Sequence, residues 1–230
     1  MSGPRASTTH PAFAERRSTA RPSGWWARAW LRAVEEAAYA EEELTASRRL
    51  ARAGRIGGIR VEPGRLTAAV EDADGLWATA VDVPVLPDAD VDAFLEAVGA
   101  VSGRVSALLA GDLPHELVEH AEEAGVELLP YGGELAGTCT CSAWVDPCVH
   151  ALALLHQVGW LLDADPFVLL HVRGLPREQL LARLHAERAP ATEEQEADPD
   201  LDVAHDAAAR AARFLERLES GEPGDLDHLL

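Results

Sequence analysis

All three cysteines of the chain fall in one ten-residue window, Cys139-Thr140-Cys141 and, after six more residues, Cys148-Val149-His150. Three thiols and an imidazole in this order can close a tetrahedral zinc shell, which obliges the chain to fold back locally around them. Side chains two apart in a strand share a face, so Cys139 and Cys141 on a hairpin arm would present both sulfurs to one side. Asp146 can cap the next helix and Pro147 suits its first position, which places Cys148 in the first turn, where the helix N-terminus favours thiolate. His150 completes the set. Three thiolates and a neutral imidazole fill a Zn²⁺ coordination sphere and leave no vacancy for substrate water, the mark of a structural rather than a catalytic ion. A disulfide between Cys139 and Cys141 would be strained and would leave Cys148 unpaired.

Charge and composition exclude several chemistries. Residues 1–60 hold eleven Arg against six acids, and the remainder nine Arg against thirty-three acids, within a net charge of −19. So acidic a body repels phosphate backbones unless the Arg-bearing N-terminal part attracts them. There is no lysine, which removes the phosphate-binding loop of nucleotidases and the Schiff base of pyridoxal enzymes. No Gly-x-Ser-x-Gly elbow is present either. No catalytic set emerges, because the acidic pairs Glu35-Glu36, Glu122-Glu123 and Glu193-Glu194 read as solvated faces. No apolar run reaches the roughly 20 residues of a membrane span. An odd cysteine count without a secretory leader points to a reducing, cytoplasmic setting.

The periodicities predict an α+β chain: a small antiparallel sheet, a helical layer and a zinc-stabilised ββα-like finger, with flexible termini. Residues 1–23 read as a disordered tail. Within an α+β region at 24–136, residues 24–44 read as one amphipathic helix opened by Trp25, Trp26 and Trp30. Short strands follow at Ile59–Val61, Leu66–Val70 and Leu76–Val83, a meander rather than a ligand-binding cradle. Helices are expected from Asp88 or Asp90 through Val98, from Ser102 through Ala110, and from Pro114 to near Gly125. The finger occupies 137–160, with an apolar helix at Val149–Val158 stopped by Gly159. A helical extension covers 161–186, with helices at Pro166–His171 and Pro176–His185. Residues 187–200 form an acidic linker, and 201–230 carry a last helix and tail, its seam running from Leu201 to Leu218.

Cys-x-Cys, six residues, then Cys-x-His and an apolar helix resembles the SWIM-type zinc finger. Gly24-Trp25-Trp26-Ala27-Arg28-Ala29-Trp30, the stretch from Tyr39 to Gly54, the turn Val61-Glu62-Pro63-Gly64-Arg65, and Asp165-Pro166-Phe167-Val168-Leu169-Leu170 are similar to SWIM proteins of GC-rich, actinobacterial type. The resemblance spans about residues 24–186. It implies Zn²⁺ on Cys139, Cys141, Cys148 and His150, and a role in protein or nucleic-acid association, often beside Swi/Snf-type helicases.

Three functional readings follow. The leading one is a non-enzymatic zinc-finger adaptor that works by protein–protein contact, accessory to a DNA-translocating ATPase. It predicts an exposed apolar patch on the finger's helix side or on the Leu201–Leu218 seam. The alternative is direct DNA or RNA binding through Arg16, Arg17, Arg21, Arg28 and Arg32, since Gly137–Trp160 holds no cation to neutralise phosphates. Trp26 and Trp30, four apart, read as a core face rather than a base-stacking platform. His115, His120, His156, His171 and His185 read as surface or satisfied core residues. A metal-dependent hydrolase, a third reading, would need an open coordination position.

Overall fold

The computed structural model describes residues 6–17 and 21–188. Thr8–His10 forms β1, and two helices follow, α1 at Trp25–Ala37 and α2 at Glu41–Arg52. The single helix expected over 24–44 is therefore two. Ala38 and Ala40 both take extended backbone angles, and Glu41, Glu42 and Glu43 crowd the first turn of α2, where carboxylates favour a fresh helix start. The strands β2 (Ile59–Glu62), β3 (Arg65–Glu71) and β4 (Leu76–Asp82) then form the expected antiparallel meander. Their alternation buries Ile59, Val61, Leu66, Val70 and Val81 on one face.

After the meander come α3 (Asp88–Ala100), α4 (Arg104–Leu109) and α5 (His115–Glu123). A short 3₁₀ turn at Gly132–Glu134 leads to β5, Ala136–Cys139. The described residues end with α6 (Val149–Ala164), α7 (Phe167–Val172) and α8 (Arg177–Arg188). The five strands of the described residues share one antiparallel sheet, in the order β1-β2-β3-β4-β5. The architecture is α+β, as the periodicities indicated.

α6 is the axis of the core. Ala151 through Leu155, Val158 and Leu162 have no exposed surface, and α1 and α2 lie against the helix. Trp26 and Trp30 are core residues. Their indole N–H groups donate to Leu162 O at 2.7 Å and to Leu155 O at 3.0 Å, which satisfies the one polar atom each ring carries inside. Gly159 does not stop α6. A Cβ there would stand 2.8 Å from Leu31 Cδ2 and 3.4 Å from Trp30 Cδ1, so the glycine is what lets α1 approach. Tertiary packing overrides its weak helix propensity.

Residues 6–17 depart from the disordered tail expected over 1–23. Thr8, Thr9 and His10 pair with Val61, Arg60 and Ile59 as an edge strand. The pairing is mostly backbone and buries little side chain, which is why no apolar alternation announced it. Residues 1–5 and 18–20 lie outside the described part. So do the acidic linker expected over 187–200, apart from the end of α8, and the helix and tail expected over 201–230, with the seam from Leu201 to Leu218. At the end of α7, buried Arg173 donates to Pro84 O at 2.5 Å and Glu127 O at 2.7 Å, tying three loops together.

Candidate metal centre

β5 delivers the first two sulfurs. It adds to β4 with Cys139 opposite Thr79, and Thr79 Oγ1 lies 3.2 Å from Cys139 Sγ. Thr140 keeps the pairing for one more residue, its N–H donating to Ala78 O at 3.1 Å and its hydroxyl accepting the Ala78 N–H at 3.0 Å. With Thr140 held on the other side, Cys139 and Cys141 share a face. The ββα unit thus exists, but no local hairpin makes it: the second strand is β4, about sixty residues upstream.

The other two donors come from the start of α6. Cys148 is the residue that precedes the first turn rather than part of it, and His150 lies within that turn. Asp146 does not cap the helix; its Oδ1 accepts the Gly137 N–H at 2.6 Å and closes the neck of the loop. A Cβ on Gly137 would stand 2.9 Å from Asp146 Oδ1 and 3.0 Å from Ala151 Cβ, so any larger residue would press on both sides of the neck.

The ligand atoms of Cys139, Cys141, Cys148 and His150 all lie within 4.8 Å of one another. His150 Nδ1 is 3.7 Å from Cys139 Sγ and 3.9 Å from Cys148 Sγ. Tetrahedral Zn²⁺, with Zn–S of about 2.3 Å and Zn–N of about 2.0 Å, spaces its donors by roughly 3.5–3.8 Å. The donor set suits that ion, and the widest separation, 4.8 Å, would close by about 1 Å around it. Burial pushes the Cys148 thiol up to about 12, so a thiolate there is costly unless a cation offsets it. Burial also opposes the Cys139 thiolate, but hydrogen bonds from Thr79 and the Cys141 backbone outweigh it and bring that thiol below its ordinary value.

A fifth residue belongs to the site. His150 Nε2 is 2.9 Å from Asp72 Oδ2. The other oxygen, Asp72 Oδ1, accepts from Trp77 Nε1 at 3.0 Å, Asp74 N at 2.9 Å and Gly75 N at 3.0 Å. The Trp77 ring lies over the imidazole, centroids 5.6 Å apart. These bonds, that from His150 foremost, hold the Asp72 carboxyl well below the usual carboxylate range. A carboxylate at Nε2 fixes the tautomer that leaves the Nδ1 lone pair for metal. The β3–β4 turn, expected to be a plain meander turn, therefore cradles the ligand histidine.

Residues 125–159 match the family model of the SWIM zinc finger. The chain carries a SWIM zinc finger. An uncharacterized protein of Mycobacterium tuberculosis is 28% identical to it over 196 residues, which is 82% of this chain and 70% of that protein. No solved structure matches the chain. The SWIM match begins well before Cys139 and takes in Val126, Leu128 and Leu135, which seat the finger on the core.

The helix side of the SWIM finger, expected to expose an apolar patch, is instead the centre of the protein, since α6 is buried along most of its length. The five arginines do not share one surface. Arg21, Arg28 and Arg32 line one surface depression of about 260 Å³ together with Pro22, Leu31 and Glu35. Arg28 Nη1 is already engaged by Ser23 O at 2.8 Å. Arg16 lies outside that depression, its guanidinium 4.4 Å over the Trp160 ring, and Arg17 is exposed. Of the histidines expected to be on the surface or satisfied in the core, His156 is the exception: buried, with Nε2 lacking a hydrogen-bond partner among the described residues. Among those residues no helix is long and apolar enough to cross a membrane.

Proposed function

We propose that the chain is a non-enzymatic, zinc-binding SWIM finger protein that acts as an adaptor through protein–protein contact. Cys139, Cys141, Cys148 and His150 would hold the ion. Four protein donors fill a tetrahedral sphere, and such an ion organises the chain around it rather than activating water. The observation that carries the adaptor reading is Trp144. It lies in the loop between Cys141 and Cys148, is 80% exposed, and is the most exposed large apolar side chain among the described residues. Singly exposed apolar residues are ordinary, but an indole on a loop pinned at both ends by metal ligands is presented rather than merely left out. The family resemblance puts a DNA-translocating ATPase of Swi/Snf type among the candidate partners.

A photocrosslinking amino acid substituted for Trp144 in the full-length protein, irradiated in the native cells, tests this reading. A discrete protein adduct that disappears in a Cys148→Ser background supports it; adducts to nucleic acid alone contradict it. The second reading, nucleic-acid binding, is favoured by the convergence of Arg21, Arg28 and Arg32 on one depression. It predicts binding to DNA or RNA whose affinity falls steeply with salt and is lost in an Arg28→Ala/Arg32→Ala variant, by fluorescence anisotropy.

A further inference from the structure

Trp144 does not stand alone. Tyr39, in the corner between α1 and α2, is 69% exposed, and its ring meets that of Trp144 edge to face with centroids 5.1 Å apart. Two aromatic side chains about a hundred residues apart in sequence thus form one protruding pair that no described residue covers. Edge-to-face packing leaves ring faces open to solvent, and a ring face is the electron-rich side that attracts cations.

The surroundings are anionic. Glu35, Glu36, Glu41 and Glu42 flank Tyr39 in sequence and are exposed. Arg48 pairs with Glu35 at 2.7 Å and Glu41 at 3.2 Å, while Glu36 and Glu42 have no ion-pair partner among the described residues. On the finger side the loop adds exposed Asp146, and no Arg or Lys occurs between Gly137 and Trp160. Aromatic faces in so acidic a stretch of chain repel phosphates and suit a guanidinium, which is planar, weakly hydrated and stacks on rings. The chain makes this contact itself elsewhere, with Arg16 over Trp160 at 4.4 Å and Arg177 over Phe167 at 4.8 Å.

We infer that the Tyr39–Trp144 pair is a docking site for an arginine-bearing segment of a protein partner. The inference rests on the adaptor reading and narrows it to one partner chemistry. It also links the surface to the metal. The ligands at either end of the loop and the Asp146–Gly137 bond hold the indole against Tyr39, so the clamp depends on the folded knuckle.

The test uses the full-length zinc-loaded protein and three fluorescein-labelled probes of equal length, an Arg-Gly repeat, a Leu-Gly repeat and a Glu-Gly repeat, followed by anisotropy. The Arg-Gly peptide is expected to bind. Trp144→Ala and Tyr39→Ala should each weaken it at least about fivefold, Trp144→Phe should weaken it less, and the exposed-leucine control Leu76→Ala should leave it unchanged. Glu36→Gln with Glu42→Gln should flatten the salt dependence. Arg-Gly binding that Trp144→Ala leaves unchanged would overturn the inference, since the acidic body alone would then explain it. Binding of Leu-Gly through Trp144 in place of Arg-Gly would also overturn it while leaving an adaptor with an apolar partner. Loss of the position-144 protein crosslink would instead remove the adaptor reading itself.

Discussion

Asp72 and His150, seventy-eight residues apart in the chain, meet at 2.9 Å, carboxylate to Nε2, behind the cluster of three sulfurs. The contact decides which imidazole nitrogen faces the metal and anchors the β3–β4 turn to the start of α6. It follows that Asp72→Ala should lower zinc affinity roughly 10–100-fold by chelator competition, and Asp72→Asn by less, because an amide oxygen still accepts the Nε2–H. In the Co²⁺-substituted protein, the visible ligand-field bands should shift in Asp72→Ala while the thiolate charge-transfer intensity persists. Unchanged affinity in Asp72→Ala would mean that the ligand sulfurs alone orient the ring.

The two kinds of tryptophan should separate cleanly. Trp30 is fully buried with its indole N–H bonded to Leu155 O, so Trp30→Ala should cost about 3–5 kcal/mol in urea denaturation. Trp144, 80% exposed, should change stability by no more than about 0.5 kcal/mol when replaced by alanine. A large loss in Trp144→Ala would show that the ring supports the fold rather than awaiting a partner.

His156 supplies a pH dependence of definite sign. Burial, with Arg48 and Arg52 nearby, lowers its pKa from 6.5 to about 4. The folded protein therefore keeps it neutral where the unfolded chain would protonate it, and stability present above pH 6.5 drains away as pH falls towards 4. Between pH 7.5 and 5.5, with zinc in excess, the loss should be about 1–1.5 kcal/mol. His156→Leu should flatten that part of the profile; an unchanged slope would assign it to other groups.

Gly137 tests the neck of the finger. Gly137→Ala places a methyl against Asp146 Oδ1 and Ala151 Cβ, and overpacking of this kind typically costs about 1–3 kcal/mol. Because the strain falls where β5 meets the start of α6, it should appear as faster zinc release to a chromogenic chelator as well as a lower melting temperature. Wild-type release kinetics would mean that the neck yields without moving the ligands.

The donors were legible because their chemistry is local: the Cys and His spacing alone singles out four residues that the fold indeed gathers within 4.8 Å. The meander was legible for the same reason, its alternation lying within each strand. Asp72 and Trp77 were not, because their link to the imidazole depends on β4 receiving β5 from far along the chain, and Asp72-x-Asp74-Gly75 reads in isolation as a turn. Strand β1 escaped notice because Thr-Thr-His pairs through its backbone. Gly159 misled for the opposite reason: a residue that weakens an isolated helix is tolerated where its missing side chain admits Leu31. Propensity described the segment, and packing decided the outcome.

The most direct measurement is the metal content of the untagged full-length protein, purified without added zinc, by inductively coupled plasma mass spectrometry, with Cys148→Ser beside it. One zinc per chain, surviving dialysis against a weak chelator and lost together with helical signal in Cys148→Ser, is the result expected of these four donors. Zinc-free protein that folds fully, or a Cys148→Ser variant that keeps its zinc and its fold, would contradict it.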